Sequence, residues 1–136
     1  MINEWKVIIS YLTAEHAGQS DKEGRKKILS SLNILKPKEI CTETYLIVDS
    51  FAEEYEAKNC YRYLCTQFVR FLVSQLSSTQ HLSKEKFSLV PLQDFSSKSD
   101  IIWNGSVHDI DLQLYSKYGL SEDDVAFIES MIIPME

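Results

Sequence analysis

Two polar segments carry side chains that could contact nucleic acid. The first lies within residues 13–27, where glycines and turn-forming residues predict an exposed loop. Its candidate DNA-binding residues are His16, Gln19, Lys22, Arg25, Lys26 and Lys27. Clustered cations of this kind can contact phosphates. A solvated loop or helix face would show the same pattern, and on charge alone that interpretation is favoured.

The second segment is the triplet Thr79, Gln80 and His81, which follows a long apolar stretch. Threonine and glutamine can hydrogen-bond to base edges, and histidine can reach a phosphate or a base. The alternative is a helix C-terminus at which these side chains bond to free carbonyl groups. Taken by itself, the triplet favours that structural alternative.

Other residue patterns for chemistry are absent from the sequence. The cysteines (Cys41, Cys60, Cys65) and histidines (His16, His81, His108) lack zinc-ligand spacing. The four glycines are isolated, so no phosphate-cradling loop is predicted, and there is no nucleophile elbow. The acids Glu122, Asp123 and Asp124 fit a helix N-terminus better than acid–base catalysis. We therefore predict no self-sufficient active site and no metal site.

Composition places the 136 residues among globular proteins with a net charge of -6. The charge is uneven: residues 1–93 carry 12 Lys and Arg against 11 Asp and Glu, whereas residues 94–136 carry 2 against 9. No apolar run is long enough to span a membrane, and the N-terminus does not resemble a signal peptide. Three cysteines favour a reduced, cytoplasmic protein over a secreted disulfide scaffold.

Hydrophobic patterning predicts an α+β fold. Strands are expected at residues 5–12, 41–48 and 87–90, and a helical turn or irregular structure at 28–35. An apolar stripe at three- and four-residue steps predicts one long helix over about 51–76. Two shorter helices are expected: one over 109–118, closed by Gly119, and one that begins after Ser121 and ends before Pro134.

These elements predict a small mixed or antiparallel sheet packed on one long helix, with a C-terminal helical hairpin. Residues 1–95 would form the α+β body. Residues 96–136 would form an acidic helical extension packed on it, giving one compact domain overall.

Several strings in order give this chain a family resemblance. They are EHAGQ at 15–19, ICTETYLI at 40–47, YLCTQFVRFL at 63–72, TQH at 79–81, FSLVPLQDF at 87–95, LYSKYGL at 114–120 and AFIESMI at 126–132. Together they resemble the C-terminal, target-recognition region of bacterial type II restriction–modification proteins that carry an adenine-N6 DNA methyltransferase. The resemblance covers nearly the whole chain.

The resemblance implies a DNA-recognition module that is not catalytic alone. It implies a parent protein that is an adenine-specific DNA methyltransferase or restriction endonuclease, and S-adenosylmethionine would bind its methyltransferase domain rather than this chain. The implied partners are double-stranded DNA and the methyltransferase or nuclease domain of the same parent chain or a partner subunit. Thr79, Gln80 and His81 match the family's turn, and the loop from His16 to Lys27 follows its pattern. The family usually has basic residues just before that turn, where this chain has residues 75–78 (QLSS).

Two other functions compete with DNA recognition. The acidic tail, with Ile132, Ile133 and Met135 near its end, could instead dock a partner protein without direct DNA contact. A small hydrolase ranks last, because it needs a site that the sequence does not show.

Overall fold

A computed structural model describes residues 3–10, 32–39, 45–75 and 87–135 of the chain. Within these ranges the fold is α+β, as predicted. Three strands and four helices follow one another in the order β1 Trp5–Ser10, β2 Leu32–Leu35, β3 Tyr45–Phe51, α1 Glu54–Cys65, α2 Gln67–Ser74, α3 Val107–Lys117 and α4 Glu122–Met131. None of the helices in the described ranges is long and apolar enough to cross a membrane.

Strand β1 is the centre of an antiparallel sheet with the order β2-β1-β3. Its residues Val7, Ile8 and Ile9 are all at most 3% exposed, so both faces of the strand are covered. A central strand reads as a continuous apolar run for this reason, which is why the sequence predicts it well. The predicted strand at 5–12 is confirmed over Trp5–Ser10.

The flanking strands differ from the sequence prediction. The expected helical turn or irregular structure at 28–35 is wrong for Leu32–Leu35, which pairs with β1 and places Asn33 opposite Ile8. Strand β3 covers Tyr45–Phe51 rather than 41–48, whose first four residues lie outside the described ranges. The expected strand at 87–90 is a turn, closed by a 3.0 Å bond from the Val90 amide to the Phe87 carbonyl.

The predicted single long helix is broken at Thr66 into α1 and α2. Thr66 has an extended backbone (φ -66°, ψ 151°), and its hydroxyl accepts the Val69 amide proton at 3.1 Å. The same hydroxyl donates to the Tyr63 carbonyl at 2.6 Å, so one side chain serves both helix ends. All eight residues from 63 to 70 are buried. Because of the break, the beginning of α2 lies in the protein interior. A single straight amphipathic helix would instead lie on the surface and expose one face.

The C-terminal helical hairpin is confirmed, with α3 beginning at Val107 instead of Asp109. Ser106 and Ser121 each form a capping box, with Asp109 and Asp124 respectively. Gly119 has a positive φ of 66° just after α3, the conformation that glycine adopts at a helix C-terminus without steric strain. The hairpin packs on α2, and core residues such as Val69 and Ile110 come from both the first 95 residues and the remainder.

Candidate functional site

The residues predicted to bind DNA all fall outside the described ranges. They are His16, Gln19, Lys22, Arg25, Lys26, Lys27, Thr79, Gln80 and His81. Their assignment to a DNA interface therefore stays a prediction. The polar residues that the structure does bring together are different ones, and they lie where α3 packs against the beginning of α2.

Asp111 is the centre of this polar cluster. It is 1% exposed, on α3, and both of its carboxylate oxygens accept backbone protons from α2. Oδ2 accepts from the Gln67 amide and Oδ1 from the Phe68 amide, each at 2.9 Å. The hydroxyl of Thr66 accepts a hydrogen bond from the Val69 amide. Each of the first three backbone N–H groups of α2 therefore donates to a side-chain oxygen. A buried helix N-terminus requires such partners, since water cannot reach its free amides.

Arg70, on α2, also belongs to the cluster and is 0% exposed. Its Nε donates to the carbonyl oxygens of Cys65 at 3.1 Å and of Thr66 at 3.2 Å, at the point where α1 ends. A cation at a helix C-terminus is favourable because the last carbonyl groups carry partial negative charge. Burial lowers the pKa of the guanidinium to about 10, so Arg70 remains charged at neutral pH.

Burial raises the pKa of Asp111 to about 6, because desolvation disfavours the carboxylate. The bonds from the Phe68 and Gln67 amides and the charges of Arg70 and His108 act in the opposite direction without cancelling that effect. Asp111 is therefore ionised at neutral pH but can take up a proton in mildly acidic solution.

We predict a specific pH dependence of stability from this group. The folded state binds a proton at Asp111 more tightly than the unfolded chain does, whose aspartate pKa is near 3.8. The contribution of Asp111 to the free energy of unfolding should therefore rise as the pH falls from 7 through 6 towards 4. Urea denaturation of the wild type and of Asp111→Asn over this range isolates the effect, because the other carboxylates cancel in the difference. A difference that grows with rising pH would contradict the prediction.

A cavity of about 370 Å³ lies beside the cluster. Its lining residues are Gln67, Val107, His108, Asp111, Glu129, Pro134 and Met135. Gln67 spans the cavity wall by donating from Nε2 to the Ile132 carbonyl at 2.8 Å, which ties the end of α4 to α2. Since the backbone of α2 occupies both oxygens of Asp111, the geometry suits holding helices together better than proton transfer to a substrate.

Metal binding finds no support in the part of the chain that the structure describes: no group of three or more His, Cys, Asp or Glu side chains there could hold an ion. Cys60 and Cys65 are buried, at 3% and 1% exposure. Buried cysteines of this kind pack as small apolar residues. Cys41 lies outside the described residues.

Sequence reasoning missed Asp111 and Arg70, although a signal for Asp111 was present. Val107, Ile110, Leu114 and Tyr115 form the buried stripe of α3, and Asp111 lies within that stripe. A carboxylate on an apolar helix face requires a buried partner, and the amides at the start of α2 are that partner. Arg70 carried no comparable signal, because its burial depends on the break at Thr66.

The exposed surface of the C-terminal hairpin is acidic and includes single apolar side chains. Glu122, Asp123 and Asp124 are exposed at the beginning of α4, and Phe127 on the same helix is 55% exposed. The docking surface expected around Ile132 is wrong in one respect: Ile132 is 1% exposed and belongs to the core. Ile133 and Met135 are half-buried.

Comparisons of this chain with protein-family models, with curated proteins and with solved structures found no match.

Proposed function

We propose that this chain is a DNA sequence-recognition (specificity) domain of a type II restriction–modification enzyme. It would position duplex DNA for adenine-N6 methylation or cleavage by other domains of a longer parent chain or by a partner subunit. The order of seven motifs along the sequence supports this proposal. In this role the domain acts in the cytoplasm, is not catalytic itself, and leaves S-adenosylmethionine to the methyltransferase domain.

The order of the motifs carries the proposal, and the distribution of charge along the chain is compatible with it. The hairpin exposes acids at the start of α3 and α4, among them Asp109, Glu122 and Asp123. Duplex DNA is a polyanion, so this surface would repel it. The cations Lys22, Arg25, Lys26 and Lys27 lie close together in the sequence between β1 and β2. A module with one cationic and one acidic part would bind DNA in a single orientation.

Duplex binding as a function of salt tests this proposal. We expect fluorescence anisotropy to show a salt-dependent affinity that falls for all sequences when Lys22, Arg25, Lys26 and Lys27 become alanine. The slope of log affinity against log salt should decrease by about one for each phosphate contact that is lost. Gln80→Ala and His81→Ala should instead relax sequence preference, because side chains that contact bases carry the specificity.

The matched control is the double variant Lys36→Ala and Lys98→Ala, which removes two exposed cations from the described surface. This variant should retain the wild-type slope to within the effect of net charge. Equal affinity of the four-alanine variant and the wild type would remove residues 22–27 from the interface. No duplex binding by the wild type would contradict the proposal itself.

A second candidate function is protein docking without DNA contact, which exposed apolar side chains on α3, on α4 and just before α3 favour. Phe127, Ile102 and Leu112 are 55%, 67% and 49% exposed. Gln113 fixes the backbone of Ile102 by a 2.7 Å bond to its amide and a 2.8 Å bond to its carbonyl. A mass that rises with concentration in light scattering, and falls to the monomer in Phe127→Ser, would favour docking through this surface.

A further inference from the structure

A second cavity, of about 270 Å³, lies between α1 and the beginning of α3. Its lining residues are Ile34, Lys58, Tyr61, Arg62, Cys65, Gly105, Ser106 and Val107. Two of these are cations and two carry hydroxyl groups, whereas no carboxylate lines the cavity. This composition is notable on a chain with a net charge of -6. Asp109, the acid of the α3 capping box, accepts a hydrogen bond from the Ser106 amide through Oδ2 at 3.4 Å.

The backbone of the loop before α3 holds Arg62 in a fixed orientation. Its Nη1 donates to the carbonyl oxygens of Trp103 at 2.8 Å and Gly105 at 3.1 Å. Within the described residues, Nε and Nη2 donate to no other group, so one edge of the guanidinium keeps its protons for a ligand. A guanidinium presents paired donors with the geometry of a phosphate or carboxylate.

Lys58 and the two hydroxyl groups complete a set of donors around the cavity. Lys58 lies one helical turn before Arg62, so both cations are on the same face of α1. Its pair with Glu54 is 3.5 Å long between side chains that are 60% and 50% exposed, and such pairs are weak. The Ser106 oxygen accepts the Asp109 amide proton at 3.1 Å, which leaves its own proton available for donation.

We propose that this cavity binds a phosphate group. Two cations and two residues with hydroxyl groups line the cavity where α3 begins, and each can donate a proton to an anion. Pockets for drug-sized ligands usually hold about 300–1,000 Å³, so a cavity of about 270 Å³ suits a phosphate with a small attached group. The group could come from a small phosphorylated molecule or from a nucleic-acid backbone, because both present the same oxygens.

Titration with inorganic phosphate at low salt, followed by amide NMR, tests the proposal. We expect saturable shifts of the amides of Gly105, Ser106 and Val107. Lys58→Ala should raise the dissociation constant by about threefold to fivefold, the effect of one partly exposed cation. Tyr61→Phe, which removes only a hydroxyl, should raise it by a smaller factor. Arg62→Ala is not the primary variant, because it also releases the backbone of Trp103 and Gly105.

Lys98→Ala is the matched control, since it removes an exposed cation that does not line the cavity. It should leave phosphate binding unchanged. Shifts that do not saturate, or an equal loss in Lys58→Ala and Lys98→Ala, would overturn the proposal, because both results indicate general screening rather than a site.

A duplex of arbitrary sequence distinguishes the two sources of phosphate. If Lys58→Ala weakens both inorganic phosphate and duplex binding, the site holds a backbone phosphate. If it weakens only inorganic phosphate, the site serves a small phosphorylated molecule. Either result supports a phosphate site. The outcome is separable from that of the proposed DNA interface, because the four-alanine variant changes residues 22–27 and leaves the cavity intact.

Discussion

Replacing Asp111 by asparagine is expected to lower the free energy of unfolding by about 2–4 kcal/mol, because one buried amide loses its acceptor and the other keeps only an uncharged one. Asp111 bonds to the amides of Gln67 and Phe68, both at 2.9 Å. Asparagine has one carbonyl oxygen for one of these amides, and its NH₂ group then faces the other N–H. A protonated aspartate is different, since its hydroxyl oxygen keeps a lone pair for the second amide. Urea denaturation at pH 7.5 measures the loss.

Asp123→Asn is the control for this variant. Asp123 is exposed in the first turn of α4, so its replacement should change the free energy of unfolding by no more than about 0.5 kcal/mol. If Asp111→Asn were equally mild, the carboxylate would not be holding the start of α2. A normal Asp111→Asn fold with restored stability at low pH would also contradict the mechanism, because asparagine does not titrate.

Replacing Arg70 by methionine is expected to destabilise the fold by about 2–4 kcal/mol, as removal of one member of a buried charged network does. Methionine nearly preserves the volume of the stem but removes the donor to the Cys65 and Thr66 carbonyl groups. It also removes the positive charge that favours the ionised form of Asp111. The pKa of Asp111 should therefore rise above its wild-type value, which carboxyl NMR would detect.

A double-variant cycle separates this charge effect from lost packing. Arg70→Met combined with Asp111→Asn should lose less stability than the sum of the single variants, by about 1–2 kcal/mol, since a neutral residue 111 does not need the cation. Lys98→Met, at an exposed position, is the control for the substitution itself and should be nearly neutral. Strict additivity in the cycle would show that the two side chains act independently.

Local signals made parts of this fold predictable from sequence. Val7, Ile8 and Ile9 form a short β-branched run that only a covered strand or a short buried helix would accommodate. Ser121 followed by Asp124, and Gly119 after α3, mark helix ends through bonds within a few residues. Each of these features depends on neighbours in the sequence, and each is found in the structure.

Features that depend on distant partners were not predictable in the same way. The apolar stripe continues on both sides of Thr66, so the sequence pattern does not mark the break between α1 and α2. The carboxylate that accepts from the first amides after the break belongs to Asp111, which is distant in sequence. The segment Leu32–Leu35 is too short for its hydrophobic pattern to distinguish a strand from a helical turn. Its conformation follows from pairing with β1. An arginine within an amphipathic pattern is expected to be a solvated cation. Arg70 is buried because α2 lies in the protein interior.

The acceptor for the first amides of α2 lies 44 residues further along the chain. An eight-residue helix is too short to persist alone in water, so α2 depends on tertiary contacts for its stability. We therefore expect the first turn of α2 to become stable only after α3 has formed and docked on it. This order makes α2 a late element in folding: variants at Asp111 should chiefly accelerate unfolding and change the folding rate little. During synthesis on the ribosome, residues 67–74 would therefore not form a stable helix until α3 had been made.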